Sequence, residues 1–181
     1  MRCESAAAPS PARRAFLKGC AASLLACEQL TRRLGANELR VGAPAPLATL
    51  VTLEGQTLRS SDFAGQVVVL TFFASWCPAC RGELPLLAQF ATRHAAAGLR
   101  VLGFSLDGPE SLAQVTRMAQ AVPFPVGLLS RSDVSGYGRI WRLPVNFTID
   151  RNGRLHNDGW RERQPAWTAE RLDQIVLPLL G

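Results

Sequence analysis

Several residue types are scarce in this 181-residue chain. It carries two histidines, two methionines, one tyrosine and a single lysine, Lys18. A structural zinc site needs four ligands; beyond its cysteines the chain offers only His94 and His156. Cysteine is scarce as well, with five residues and none after Cys80, too few for a disulfide-stapled scaffold. No apolar run is long enough to span a bilayer as a permanent helix. The net charge of +6 invites a nucleic-acid reading, but Arg2, Arg13, Arg14 and Lys18 lie in the first 20 positions against one acid, Glu4. Beyond residue 26 the balance falls to 16 basic against 13 acidic residues, spread out and not striped. That distribution argues against a basic binding face. What is present suffices for one globular domain and a short leader, with 48% hydrophobic residues.

The most informative stretch begins Val67-Val68-Val69-Leu70-Thr71-Phe72-Phe73. A run of β-branched and aromatic residues reads as a buried parallel strand. It leads into Ala74-Ser75-Trp76-Cys77-Pro78-Ala79-Cys80, and Arg81 to Gly98 then reads as a helix. Two cysteines therefore sit where a strand becomes a helix, with Cys77 at or near the N-cap. The first N–H groups of a helix lack internal partners, and the dipole there favours negative charge. A thiolate at Cys77 is stabilised by that environment, which makes it the attacking sulfur. Cys80 is close enough to close a disulfide with it.

Trp76-Cys77-Pro78-Ala79-Cys80 behind a hydrophobic strand resembles the thioredoxin fold. The flanks resemble its exported branch, the TlpA/ResA-like thiol–disulfide oxidoreductases, from about Val41 to the C-terminus. The resemblance implies an α/β thioredoxin-like domain over residues 41–181. Its central mixed β-sheet is flanked by helices and extended at the N-terminus by a β-hairpin. It implies Cys77 as nucleophile and Cys80 as resolving sulfur, with the redox-active disulfide itself and no further cofactor or metal. It also implies a cis proline at Pro144 against the dithiol, with the backbone of Leu143 left to pair with a substrate strand. Trp76, Pro78 and Ala79 shape the substrate-facing loop. Glu83 lies three residues after Cys80, one turn on along the same side of the helix, where the ResA-like group places a glutamate that tunes the thiols. Mainstream thioredoxins keep a buried aspartate in the central strand at the position of Thr71. A solvated first-turn glutamate is the alternative for Glu83.

The leader points to export. Ala12-Arg13-Arg14-Ala15-Phe16-Leu17-Lys18 resembles a twin-arginine signal, with Ala12 where a Ser or Thr is usual. Gly19 to Ala26 is a short apolar run, and Leu24-Leu25-Ala26-Cys27 resembles a lipobox. Residues 1–26 are expected to be a signal peptide, Cys27 a lipidation site and residues 27–40 a tether. Cleavage and acylation leave Cys77 and Cys80 as the remaining thiols. The expected setting is the periplasmic side of a bacterial inner membrane. The expected partners are exported protein disulfides, for example in cytochrome c maturation, and a membrane thiol electron donor; nucleic acid is not expected.

Along the rest of the chain, Leu50–Leu53 and Gln56–Leu58 flank Glu54-Gly55 as a hairpin, and Ser60–Gly65 forms a turn. Pro85 should kink the first helix. Leu99–Leu106 reads as a strand in a right-handed βαβ unit. Pro109 opens a helix whose buried face carries Leu112, Val115, Met118, Ala119 and Val122. Val126–Leu129 is a short strand, and Ser132–Trp141 a short helix or turn. Pro144 leads into a strand to Asp150, Arg151–Arg154 turns, and Leu155–Trp160 returns. Thr168–Leu180 is a closing helix with Leu172, Ile175, Val176 and Leu179 on one side.

Three rivals compete for the Cys-x-x-Cys. Zinc lacks ligands. A copper-delivery protein on the same fold usually has three residues between its cysteines and a later histidine; here two intervene, and His156 is the only late histidine. A peroxiredoxin uses one cysteine in a Pro-x-x-x-Thr-x-x-Cys setting, which the residues before Cys77 lack. Within the dithiol reading, a thiol oxidase or isomerase is the alternative to a reductase.

Overall fold

A computed structural model describes residues 39–181. The signal peptide, Cys27 and all but the end of the tether lie outside the described residues. The elements run β1 (Thr49–Val51), β2 (Thr57–Arg59), β3 (Val67–Phe73), α1 (Pro78–His94), β4 (Leu99–Ser105), α2 (Leu112–Gln120), β5 (Val126–Leu128), β6 (Val145–Ile149) and β7 (Leu155–Asn157). β1 and β2 form the expected antiparallel hairpin, and the five remaining strands form one mixed sheet in the order β5-β4-β3-β6-β7.

The central strand β3 is buried along its whole length. It runs parallel to β4 and antiparallel to β6. Side chains alternate across a strand, and the alternation divides the core in two. Val68, Leu70 and Phe72 join Leu102, Phe104, Val145 and Phe147 on one face. Phe72 stacks on Phe104 with ring centroids 4.9 Å apart and meets Phe147 edge-on at 5.8 Å. Val67, Val69 and Phe73 join Leu84, Leu87 and Phe90 of α1, with Trp167, Leu172 and Val176, on the other face. The hairpin docks at the β5 edge, where Leu53 N–H donates to Val126 C=O at 2.9 Å. Gly127 makes that approach possible, since a Cβ there would collide with the carbonyl oxygen of Val51.

The helix after the central strand starts at Pro78, three residues earlier than expected, and runs through Pro85 to His94. Proline at N1 explains the early start: its fixed φ suits a first turn whose N–H would be unpaired anyway. A 3₁₀ turn at Pro109–Ser111 precedes α2. In α2 Val115 is fully buried and Leu112, expected on the buried face, is 38% exposed. The 3₁₀ turn absorbs the first part of the expected helix and shifts the face that α2 presents. The return strand stops at Asn157, and Asp158 caps a 3₁₀ turn over Gly159–Arg161 by accepting from Trp160 N–H at 3.0 Å. The closing helix is irregular: one α turn at Ala169–Arg171, a π segment at Leu172–Val176 and a 3₁₀ turn at Leu177–Leu179. Pro178 has no N–H for the carbonyl four residues back, so a regular α ladder cannot continue through it. Leu172 and Val176 remain on the buried side as expected. Among the described residues no helix is long and apolar enough to cross a membrane.

Candidate active site

Cys77 and Cys80 are joined by a disulfide, with Cα atoms 5.3 Å apart. Cys77 is the N-cap of α1, and its Sγ accepts from the Cys80 backbone N–H at 3.2 Å. That N–H is one of the unpaired donors of a helix start, and it points at the sulfur where a thiolate would carry its charge. Cys80 is fully buried and Cys77 nearly so, whereas Trp76, Pro78 and Ala79 are exposed. The Leu143–Pro144 peptide bond is cis. Leu143 lines a groove of about 580 Å³ together with Trp76, Cys77, Pro78, Ala79 and Trp141.

The loop ahead of Cys77 is held from β4. Asp107 accepts from Ser75 N–H at 2.8 Å, from Ser75 Oγ at 2.7 Å and from Ser105 Oγ at 2.6 Å. Ser75, Ser105 and Asp107 are all buried. Along the chain Asp107, two residues ahead of Pro109, reads only as a helix-capping residue. Its role as an anchor depends on β3 and β4 ending side by side, which spacing along the chain does not reveal.

Glu83 is 2% exposed, so the solvated alternative does not hold. The sheet register explains what surrounds it. Thr71 on β3 pairs directly with Asn146 on β6, and both side chains fall on the α1 face by alternation. Thr71 Oγ1 donates to Glu83 Oε1 at 3.4 Å, and Asn146 Nδ2 donates to Oε2 at 3.2 Å. The shortest bond comes from the Trp167 backbone N–H, at 2.6 Å. Burial dominates nonetheless: desolvation raises the Glu83 pKa from 4.5 to about 7, against the lowering effect of these donors and of Arg171. A carboxyl with that value changes charge near neutral pH. Asn146 and Trp167 are not among the site residues that the sequence predicts. A polar residue in the middle of Val145-Asn146-Phe147-Thr148-Ile149 was the available signal for the first; a backbone donor leaves none.

Among the described residues, no three His, Cys, Asp or Glu side chains come together as a metal site would need. His94 packs on Phe90 at 4.3 Å at the end of α1, and His156 is exposed on β7.

Comparison with known proteins fits this arrangement. The AhpC/TSA family matches residues 41–157. The thiol–disulfide oxidoreductase ResA of Geobacillus thermodenitrificans is 30% identical over 117 residues, 64% of this chain and 66% of that protein. The ResA of Bacillus cereus is 25% identical over 118 residues, 65% of this chain and 68% of that protein. These matches span about two thirds of each curated relative. A crystal structure of a thioredoxin-family thiol:disulfide interchange protein from Chlorobium tepidum superposes with a TM-score of 0.66 at 27% identity, covering 80% of this chain and 99% of that one. A sheet of order β5-β4-β3-β6-β7 with a Cys-x-x-Cys disulfide at the head of α1 and relatives of this kind have one consistent reading: the chain belongs to the AhpC/TSA family and is a ResA-like thiol–disulfide oxidoreductase of the thioredoxin superfamily.

Proposed function

We propose that the protein reduces disulfides of exported proteins on the periplasmic side of a bacterial inner membrane, anchored there through a lipid on Cys27. The observation that supports this most is the Cys77–Cys80 disulfide at the N-cap of α1, with a buried carboxyl of raised pKa one turn further on.

In the reduced enzyme the Cys77 thiolate attacks one sulfur of a target disulfide. A mixed disulfide forms and one target thiolate leaves, taking a proton from solvent. Cys80 then loses its proton and attacks the Cys77 sulfur. The second target thiolate departs, and the enzyme is left with the Cys77–Cys80 bridge. Two electrons pass from enzyme to target, and a membrane thiol donor restores the dithiol. Glu83 serves as proton acceptor for Cys80 and as donor on the return. A pKa of about 7 suits it to both directions. Cis Pro144 has no backbone N–H of its own, and Trp76, Pro78, Ala79 and Leu143 form the surface the target meets. Apocytochrome c is a target of suitable kind, since its cysteines must be reduced before haem is attached.

Reduction of a disulfide-bonded test polypeptide by the full chain, with and without Cys77→Ser, tests the chemistry: the variant is expected to lose turnover at least about 1,000-fold. A reduction potential near the thioredoxin value of about −270 mV supports a reductase, and one near about −120 mV makes the protein an oxidase. Mass spectrometry of the membrane fraction should find a lipid-bearing mature N-terminus at Cys27.

A further inference from the structure

The groove beside the dithiol holds an aromatic arrangement that disulfide chemistry alone does not call for. Trp76 and Trp141, 67% and 70% exposed, both line it. An exposed indole is ordinarily free to turn, but Trp141 is braced. Its ring stacks on Trp160 with centroids 5.6 Å apart and planes 7° from parallel. The Arg142 guanidinium lies 5.6 Å from the Trp141 ring centre and 5.8 Å from that of Trp160. Arg142 is itself pinned, donating to the carbonyls of Gly159, Trp160 and Glu162. Trp160 donates Nε1–H to the Tyr137 carbonyl at 2.8 Å and meets the core ring of Phe147 edge-on. A braced series of groups thus runs from the core to an indole in solvent beside Cys77. A rigid aromatic surface loses little conformational freedom on binding, so its contact area is converted efficiently into affinity.

Charge in the groove is one-sided. Among the described residues Arg139 is the charged side chain that lines it and is exposed, and no carboxylate lines the groove. Among the described residues no hydrogen bond engages the backbone of Leu143, which lines the same groove.

We propose that this groove recognises an extended segment of a partner protein that carries, next to its reactive cysteine, an aromatic or large apolar side chain and a carboxylate. Trp141 and Trp76 flank the apolar side chain, and Arg139 receives the carboxylate. This rests on the oxidoreductase reading of Cys77 and names the class of protein substrate which that site selects.

The test uses the reduced full-length protein and four short peptides, each with one cysteine blocked as a mixed disulfide with thionitrobenzoate. Phe-Glu, Ala-Glu, Phe-Lys or Ala-Lys flanks the cysteine. Each turnover oxidises the dithiol to the Cys77–Cys80 bridge and releases peptide thiol and coloured thionitrobenzoate. The wild-type single-turnover rate constant per unit peptide concentration is expected to favour Phe over Ala by roughly 30-fold, chiefly through the half-saturating concentration, and Glu over Lys by about 2- to 5-fold. Trp141→Ala should collapse the Phe preference, Trp141→Phe should retain most of it, and Arg139→Glu should reverse the Glu preference. Ellman's reagent separates the two levels of the reading. A wild type that reduces it but shows no Phe preference, or a Trp141→Ala protein that keeps that preference, overturns the recognition surface alone. A wild type that fails to reduce it overturns the oxidoreductase reading as well. A dimer in sedimentation that Trp141→Ala dissociates gives the groove to a second copy of the chain and overturns the proposal.

Discussion

The two faces of the five-stranded sheet come from alternate residues of the same strands, yet they do different work. On one face Phe72 stacks on Phe104 and meets Phe147 edge-on. On the other, β3 and β6 contribute Thr71 and Asn146, and α1 lowers Glu83 onto them. The first face is a close-packed core, whose worth lies in the contacts each ring makes. The second buries a carboxyl at a cost that its donors only partly offset, and in return holds a group that titrates near neutral pH one helical turn beyond Cys80. The contrast shows how a single strand supports stability through its even positions and chemistry through its odd ones.

The comparison can be broken from either side. Phe72→Ala should have the largest effect, a loss of about 3–5 kcal/mol in denaturant unfolding, because it opens a cavity among rings that cannot collapse into it. Glu83→Gln comes next, and its signature is pH dependence. The folded pKa of about 7 lies above the unfolded value of 4.5, so the native state holds the proton more tightly. That contribution to stability is complete below the unfolded pKa and is lost as pH rises through about 7. Wild type minus variant should therefore fall by roughly 3 kcal/mol from acid to neutral pH, read from urea unfolding at a series of pH values. The same variant should flatten the pH profile of Cys77 alkylation in the reduced protein near neutrality.

Asn146→Ala should have a smaller effect, about 1–2 kcal/mol. It removes a donor to Glu83 and one to the Pro165 carbonyl, at 3.2 and 3.0 Å, and the midpoint of the Glu83-linked step should move upward. Thr71→Val should have the smallest, within about 1 kcal/mol, since its bond to Glu83 is long at 3.4 Å; the midpoint should again move upward, by less than for Asn146→Ala. A midpoint that ignores both substitutions would separate the carboxyl from the sheet face beneath it.

Much of this architecture was legible beforehand because its causes are local. The run Val67–Phe73 has the composition of a buried strand, and a helix follows the cysteines as expected, although it opens at Pro78 and not at Arg81. The hairpin follows from Glu54-Gly55 between two apolar runs. The errors fell where local pattern competes with neighbours. Leu112 satisfied the helical period but sits at the junction of a 3₁₀ turn and α2. The closing segment kept its apolar side while Pro178 broke its hydrogen-bond ladder. The bond of Asp107 to Ser75, the stacking of Trp141 on Trp160 and the bond from Trp167 N–H to Glu83 leave no trace in the sequence, because those partners lie 32, 19 and 84 positions away.

The chain's order of residues was enough to establish a cysteine pair at a strand-to-helix turn and a proline opening a later strand, since backbone preference and helix-end electrostatics act within a turn or two. Folding alone decided the state of Glu83. Its partners Thr71, Asn146 and Trp167 lie 12, 63 and 84 positions away, and desolvation is a property of everything packed around a group. The same holds for Trp141, whose bracing against Trp160 exists only once β7 has returned beside β6.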